Sequence, residues 1–178
     1  YLAARLATED PAVRALILLA TTVRPLDRAL IVAAEREAAA LAEIPPSLRL
    51  AQGIPPDFDP VRVMVNTIEA LSLTNAPVLE VGGHRIKADW FRQHVRADPI
   101  ATFRRVRCPA LILHGTEDRL VDPAEADAIA HAMWAGGNPS VAVIRLSGLD
   151  HYFEPAGGAA ALDAQLFGAL EGWLGTEV

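Results

Sequence analysis

The sequence predicts an α/β fold: about three parallel strands with flanking helices and a helical insertion after the first strand. Two observations carry this reading. The last third alternates apolar, strand-like runs with helical stretches, and strand–helix–strand order implies parallel strands joined by crossovers. A further short apolar run lies near the start, separated from the others by a helical section punctuated with prolines. The chain has 178 residues, the size of one ordinary domain or of part of a larger one. It is 52% apolar and 21% charged, which excludes a disordered chain, since that apolar mass can offset ordering entropy. A compact chain of this size buries roughly 70% of its unfolded surface, enough for a core.

The elements follow in order. Residues 1–7 show helical periodicity from the first position, without a cap or an initiator Met. This reads either as a trimmed terminus or as the middle of an element of a longer protein. Asp10-Pro11 ends the helix, because the residue before proline avoids the helical region. Residues 13–20 form a nearly continuous apolar run bounded by turn residues, the pattern of a strand buried on both faces. From about residue 24 to 100 the character changes. Residues 26–43 are rich in Ala and Glu and predict a helix stopped by Pro45-Pro46. Asp59-Pro60 opens another helix through Ala70, Gly82-Gly83 is a turn, and residues 87–97 form a short amphipathic helix carrying Trp90, Phe91 and Val95. No strand is expected in this middle section. Residues 109–115 predict a buried strand ending at a glycine turn, residues 123–134 a helix, residues 141–146 a second strand, and residues 158–174 a final helix. The expected division is 1–23 and 101–178 as core, with 24–100 as a helical insertion.

Charge and cysteine usage narrow the partners. Sixteen basic against twenty-two acidic residues give a net charge of −6, and an acidic surface repels phosphate backbones, so no nucleic acid partner is expected. The single cysteine, Cys108, cannot form an internal disulfide; a buried inert thiol in a cytoplasmic protein is expected. No apolar run is long enough to span a bilayer, and no signal peptide is visible, so no membrane association is expected. His84, His94, His131 and Cys108 lack metal-ligand spacing. Gly157-Gly158 lacks the strand–turn–helix context of a dinucleotide site. Neither a metal nor another cofactor is expected.

The chemistry of an open parallel sheet sits beyond the carboxyl ends of its strands, where loops converge. Two loops qualify. After the strand at 109–115 comes Thr116-Glu117-Asp118-Arg119-Leu120-Val121-Asp122-Pro123. After the strand at 141–146 comes Ser147-Gly148-Leu149-Asp150-His151-Tyr152-Phe153. Neighbouring strands lie about 5 Å apart, so an acid on one loop can reach a histidine on the next. Such a carboxylate fixes the imidazole tautomer and stabilises the imidazolium that forms when histidine acts as a base. Asp118 and His151 are the candidates for that pair. Asp122 is the competing acid, but before Pro123 it suits an N-cap better. Asp150 and Glu117 read as solvated loop positions, and His114 as structural or lining the site. Arg104, Arg105 and Arg107 read as a solvated connector.

These stretches resemble a known family. Cys108-Pro109-Ala110-Leu111-Ile112-Leu113-His114-Gly115-Thr116-Glu117-Asp118 looks like the seventh-strand segment of α/β-hydrolases, with its Gly-x-x-Asp. Leu149-Asp150-His151-Tyr152-Phe153 is similar to the loop after their eighth strand, where the catalytic histidine sits. The order Asp then His matches their Ser…Asp…His order, and Asp10 to Ala20 resembles their sixth strand. The resemblance covers most of the chain and implies the C-terminal part of an α/β-hydrolase fold of the serine esterase or peptidase-like branch. It implies a serine nucleophile, His151 as base, Asp118 as its orienter, residues 24–100 as a helical cap, and a small-molecule ester or acyl substrate. Trp90 and Phe91 are the candidates to line the substrate pocket, set against plain packing of an apolar helix face.

One part of the family pattern is missing. The serines are Ser47, Ser72, Ser140 and Ser147, and none lies in a Gly-x-Ser-x-Gly elbow. In the family's layout that elbow would end just upstream of Tyr1, with the earlier strands before it. Three readings compete: the C-terminal half of a serine hydrolase; an inactive hydrolase-like module that pairs with another chain, an N-terminal half or a second copy; and the same fold with an upstream Asp or Cys nucleophile, as in a dehalogenase or lactone hydrolase.

Overall fold

The computed structural model describes residues 1–81, 83–155 and 164–177. In chain order its elements are α1 (Leu2–Glu9), β1 (Leu16–Leu19), α2 (Leu26–Ala42), α3 (Pro46–Ala51), α4 (Pro60–Leu73), β2 (Val78–Val81) and β3 (His84–Lys87). They continue with α5 (Ala88–Val95), α6 (Pro99–Phe103), β4 (Ala110–Gly115), α7 (Glu125–Ala135), β5 (Val141–Leu146) and α8 (Ala164–Glu177). The chain divides into two compact units, one of Tyr1–Arg24 with Asp98–Val178, the other of Pro25–Ala97.

The first unit is built on a three-stranded sheet of order β1-β4-β5. All its strands are parallel, with Leu16 opposite Ala110 and Ala110 opposite Val141. Every residue of β4 is buried, because the strand lies between two neighbours and both faces of the sheet are covered. Ala110 and Ile112 pack on one face against Ile129, Ala130 and Met133 of α7, with Phe103 and Val106. Leu111 and Leu113 pack on the other against Leu149, Phe153, Leu166 and Trp173. Period-2 side chains in a doubly covered strand must be apolar on both faces, which is why the sequence here is continuously apolar. β1 is one edge of this sheet and β5 the other, and Leu19 at the end of β1 is exposed.

Several expected boundaries move. The strand expected over 13–20 is shorter, because the Val13 amide is tied to Asp10 O in the turn after α1 and pairing with β4 begins only at Leu16. The helix expected from residue 123 starts at Glu125, after a turn in which Asp122 Oδ1 accepts the Ala124 amide. The stretch 158–163 of the expected last helix, with Gly157-Gly158, lies outside the described residues.

The second unit was expected to be helical throughout, and it is not. β2 and β3 form an antiparallel hairpin, Val78 opposite Lys87 and Val81 opposite His84. Gly83, at φ +80°, supplies the left-handed residue of its turn. The hairpin escapes sequence reading because its strands are only four residues long: β2 has three apolar residues and β3 a single one, so neither shows a clear alternation. The short helix α3 is also an addition here, as α6 is in the first unit; each starts with proline at its first turn, and Asp98 Oδ1 caps α6 through the Ala101 amide. The unit's small core joins Leu71, Ala88 and Phe91 with Leu30, Ile68 and Ile86.

Candidate active site

The site is assembled where β4 and β5 end. Gly115 closes β4, and the chain then turns through Thr116 and Glu117 to Asp118. Three hydrogen bonds, two of them between backbone groups, tie this loop to the end of β5 and the loop after it. The Thr116 amide donates to Leu146 O, the Glu117 amide donates to Leu149 O, and Thr116 Oγ1 accepts the Gly148 amide. The contact is so close that a Cβ on Gly115 would lie 2.2 Å from Leu149 O and 2.6 Å from Asp150 O. Only glycine permits the loops to approach in this way.

The histidine loop is held by its own residues. Asp150, expected to be a solvated bystander, organises it: Oδ1 accepts the amides of Tyr152 and Glu154, and its own amide donates to Glu154 O. Leu149 and Phe153 are buried on either side, the latter with φ +61°. His151 is therefore carried on a short arch anchored at both feet.

Asp118 and His151 are brought together. His151 Nδ1 lies 2.9 Å from Asp118 Oδ2. The Asp118 side chain is fully buried, and the His151 side chain is 28% exposed. Asp118 Oδ1 accepts the amides of Leu120 and Val121, each at 2.8 Å. Oδ2 also lies 2.9 Å from Nε2 of His114, a contact that sequence reading did not assign. A polar ring inside a buried apolar strand was the available signal, since buried polar atoms need partners. Burial alone would push the Asp118 carboxyl up, but donors from His114, Val121, His151 and Leu120 outweigh it and hold the group at about 2. Asp118 is thus an ionised acceptor, so His151 donates from Nδ1 and carries its lone pair on Nε2. An imidazole so oriented can take a proton at Nε2, with the carboxylate balancing the resulting charge.

The other expected residues lie as follows. Phe91 is buried in the core of the second unit. Trp90, next to it and so about 100° round the helix, is 46% exposed and stacks on His94 with ring centroids 4.1 Å apart. Glu117 is exposed. Cys108 is partly buried, which pushes its thiol up, away from the reactive thiolate. Among the described residues no group of three His, Cys, Asp or Glu is placed to hold a metal ion, and no helix is long and apolar enough to cross a membrane.

Two solved structures are similar to this chain. The esterase domain of a Rhodothermus marinus protein is similar at 19% identity and a TM-score of 0.53, over 96% of this chain and 54% of that one. The E-2-(acetamidomethylene)succinate hydrolase is similar at 18% identity and a TM-score of 0.47, over 94% of this chain and 59% of that one. The chain thus spans little more than half the length of these structures. No curated protein sequence matches it. Residues 1–148 match the serine aminopeptidase S33 family. That match covers most of the chain, and the parallel sheet and strand-end loops fit it: the chain belongs to the serine aminopeptidase S33 family, within the α/β-hydrolase superfamily.

Proposed function

We propose that this chain carries the acid and the base of a serine hydrolase that cleaves carboxylic ester or peptide-like bonds. The observation that supports it best is the 2.9 Å contact between the buried Asp118 carboxylate and His151 Nδ1 at the ends of adjacent parallel strands. In this reading the serine comes from residues outside the chain. Its oxygen bonds to the acyl carbon while its proton passes to His151 Nε2. His151 then gives that proton to the leaving group as the acyl bond breaks. Water repeats the two steps and releases the acid. Asp118 remains ionised throughout and stabilises the imidazolium.

The test is ester turnover by the polypeptide that joins these residues to a Gly-x-Ser-x-Gly segment. His151→Ala is expected to lower kcat by several orders of magnitude with the fold retained. Near-normal turnover would remove His151 from the mechanism. Of the two aromatic residues expected at the substrate, Trp90 keeps exposed ring surface. Trp90→Ala is expected to raise KM with kcat little changed; an unchanged KM would assign Trp90 to its stacking on His94 alone.

One observation favours a second reading, a non-catalytic module completed by another chain. β1 is an edge strand with Leu19 exposed, and such edges pair readily with further strands. Light scattering discriminates: self-association or capture of a complementary strand segment supports the second reading, and a cooperatively folding monomer speaks against it.

A further inference from the structure

The Asp118 carboxylate is saturated. An ionised carboxylate offers about four lone-pair directions. The Leu120 and Val121 amides take two on Oδ1, and His114 Nε2 and His151 Nδ1 take two on Oδ2. His114 is fully buried, and among the described residues its Nδ1 has no hydrogen-bond partner. A proton on that nitrogen would be an unpaired buried N–H, so the ring is the neutral Nε2–H tautomer. The same Nε2 has a longer approach, 3.4 Å, to Val121 O. Both neighbours are acceptors, in agreement with a donating Nε2.

We propose that His114 is a positioning residue of this site: its Nε2–H pins Asp118 Oδ2 so that, with the two amides, it leaves a single lone-pair direction, aimed at His151. The inference deepens the hydrolase reading and rests on it. His114 stands on β4, the central strand, whereas Asp118 stands on a loop four residues later. The bond therefore lends the strand's rigidity to a loop carboxylate, as a preorganised site requires. Packing alone does not explain an imidazole here. An apolar side chain of similar shape would fill the space without leaving a buried nitrogen unpaired. Without the donor, Oδ2 has two open directions and the carboxylate can turn about its terminal bond. The partly exposed His151 ring then loses its fixed orientation.

The test compares His114→Leu, which removes both ring nitrogens, with His114→Gln, whose amide nitrogen can occupy the place of Nε2. In the polypeptide that supplies the serine, His114→Leu is expected to lower kcat about tenfold, the scale for groups that orient a working imidazole. KM is expected to stay within about twofold, and His114→Gln to restore most of the loss. A second readout does not need turnover. Nitrogen-15 NMR of His151 is expected to show the Nδ1–H tautomer, with a protected proton, in wild type and His114→Gln. Mixed tautomer shifts and a broadened proton are expected in His114→Leu. Should His114→Leu fail to fold, His114→Asn, whose amide falls short of Asp118, takes its place with the same expected losses. Indistinguishable kcat and His151 spectra in all variants overturn the proposal. So does a Gln variant no better than Leu, which would leave His114 as packing. If the wild type hydrolyses no ester, the hydrolase reading fails, and the His151 spectra still decide the role of His114.

Discussion

Gly115→Ala tests the way the site is built. The added methyl group would meet Leu149 O at 2.2 Å, Asp150 O at 2.6 Å and Leu149 C at 2.7 Å. All three are backbone atoms, so no side chain can swing aside. To reach even a tight contact of 3.4 Å, the Leu149 carbonyl must retreat by about 1.2 Å. That displacement stretches the Glu117–Leu149 hydrogen bond, now 2.9 Å, beyond bonding range. Overpacking a tight contact costs about 1–3 kcal/mol, and the lost hydrogen bond adds about 1 kcal/mol. The sum, about 2–4 kcal/mol, corresponds to a fall in Tm of roughly 4–16 °C for a chain of this size. The same shift carries His151, two residues beyond Leu149, off Asp118. Misplacing a reacting group by about 1 Å costs on the order of 10²-fold in rate. Urea unfolding and ester turnover read the two effects. A Gly115→Ala protein with an unchanged midpoint and an intact His151–Asp118 contact by NMR would refute the argument that this glycine sets the loop spacing.

Two further outcomes follow from the same structure. Asp118 is held at about 2 against an ordinary value of 3.8. A depressed carboxyl stabilises the fold above its unfolded value and loses that stabilisation as pH falls toward its folded value. The contribution is about 2 kcal/mol at neutral pH, and it disappears between about pH 4 and pH 2. The stability gap between wild type and Asp118→Asn should narrow across that window in urea titrations; parallel curves would contradict the assignment. Glu125 is buried and accepts Thr22 Oγ1, the Val23 amide and Arg24 Nε, fastening the segment after β1. Glu125→Ala leaves the buried Val23 amide unpaired and should cost about 2–3 kcal/mol, with Glu125→Gln losing less; equal stability of all three proteins would show the clasp to be idle.

The elements legible in the sequence were those whose burial is written locally. β4 reads as apolar at nearly every position because both of its faces are covered, and β5 and α7 follow it at the spacing a parallel crossover needs. Asp118 and His151 could be singled out because consecutive parallel strands place their terminal loops side by side. Short elements were not legible. The β2–β3 hairpin, α3 and α6 each span too few residues for a period to emerge, and β1 is four residues shorter than expected, its start delayed by the turn after α1.

The tertiary structure alone decided how the carboxylate is filled. The apolar strand around His114 signals that its ring needs a partner but does not name Asp118, and nothing local marks Asp150 as the organiser of the histidine arch. It also takes the folded loops to show that Gly115 faces the Leu149 carbonyl. Sequence patterns report which face of an element is apolar. The directions in which a buried oxygen finds its donors depend on how separate loops meet, and that is fixed only when the sheet brings their ends together.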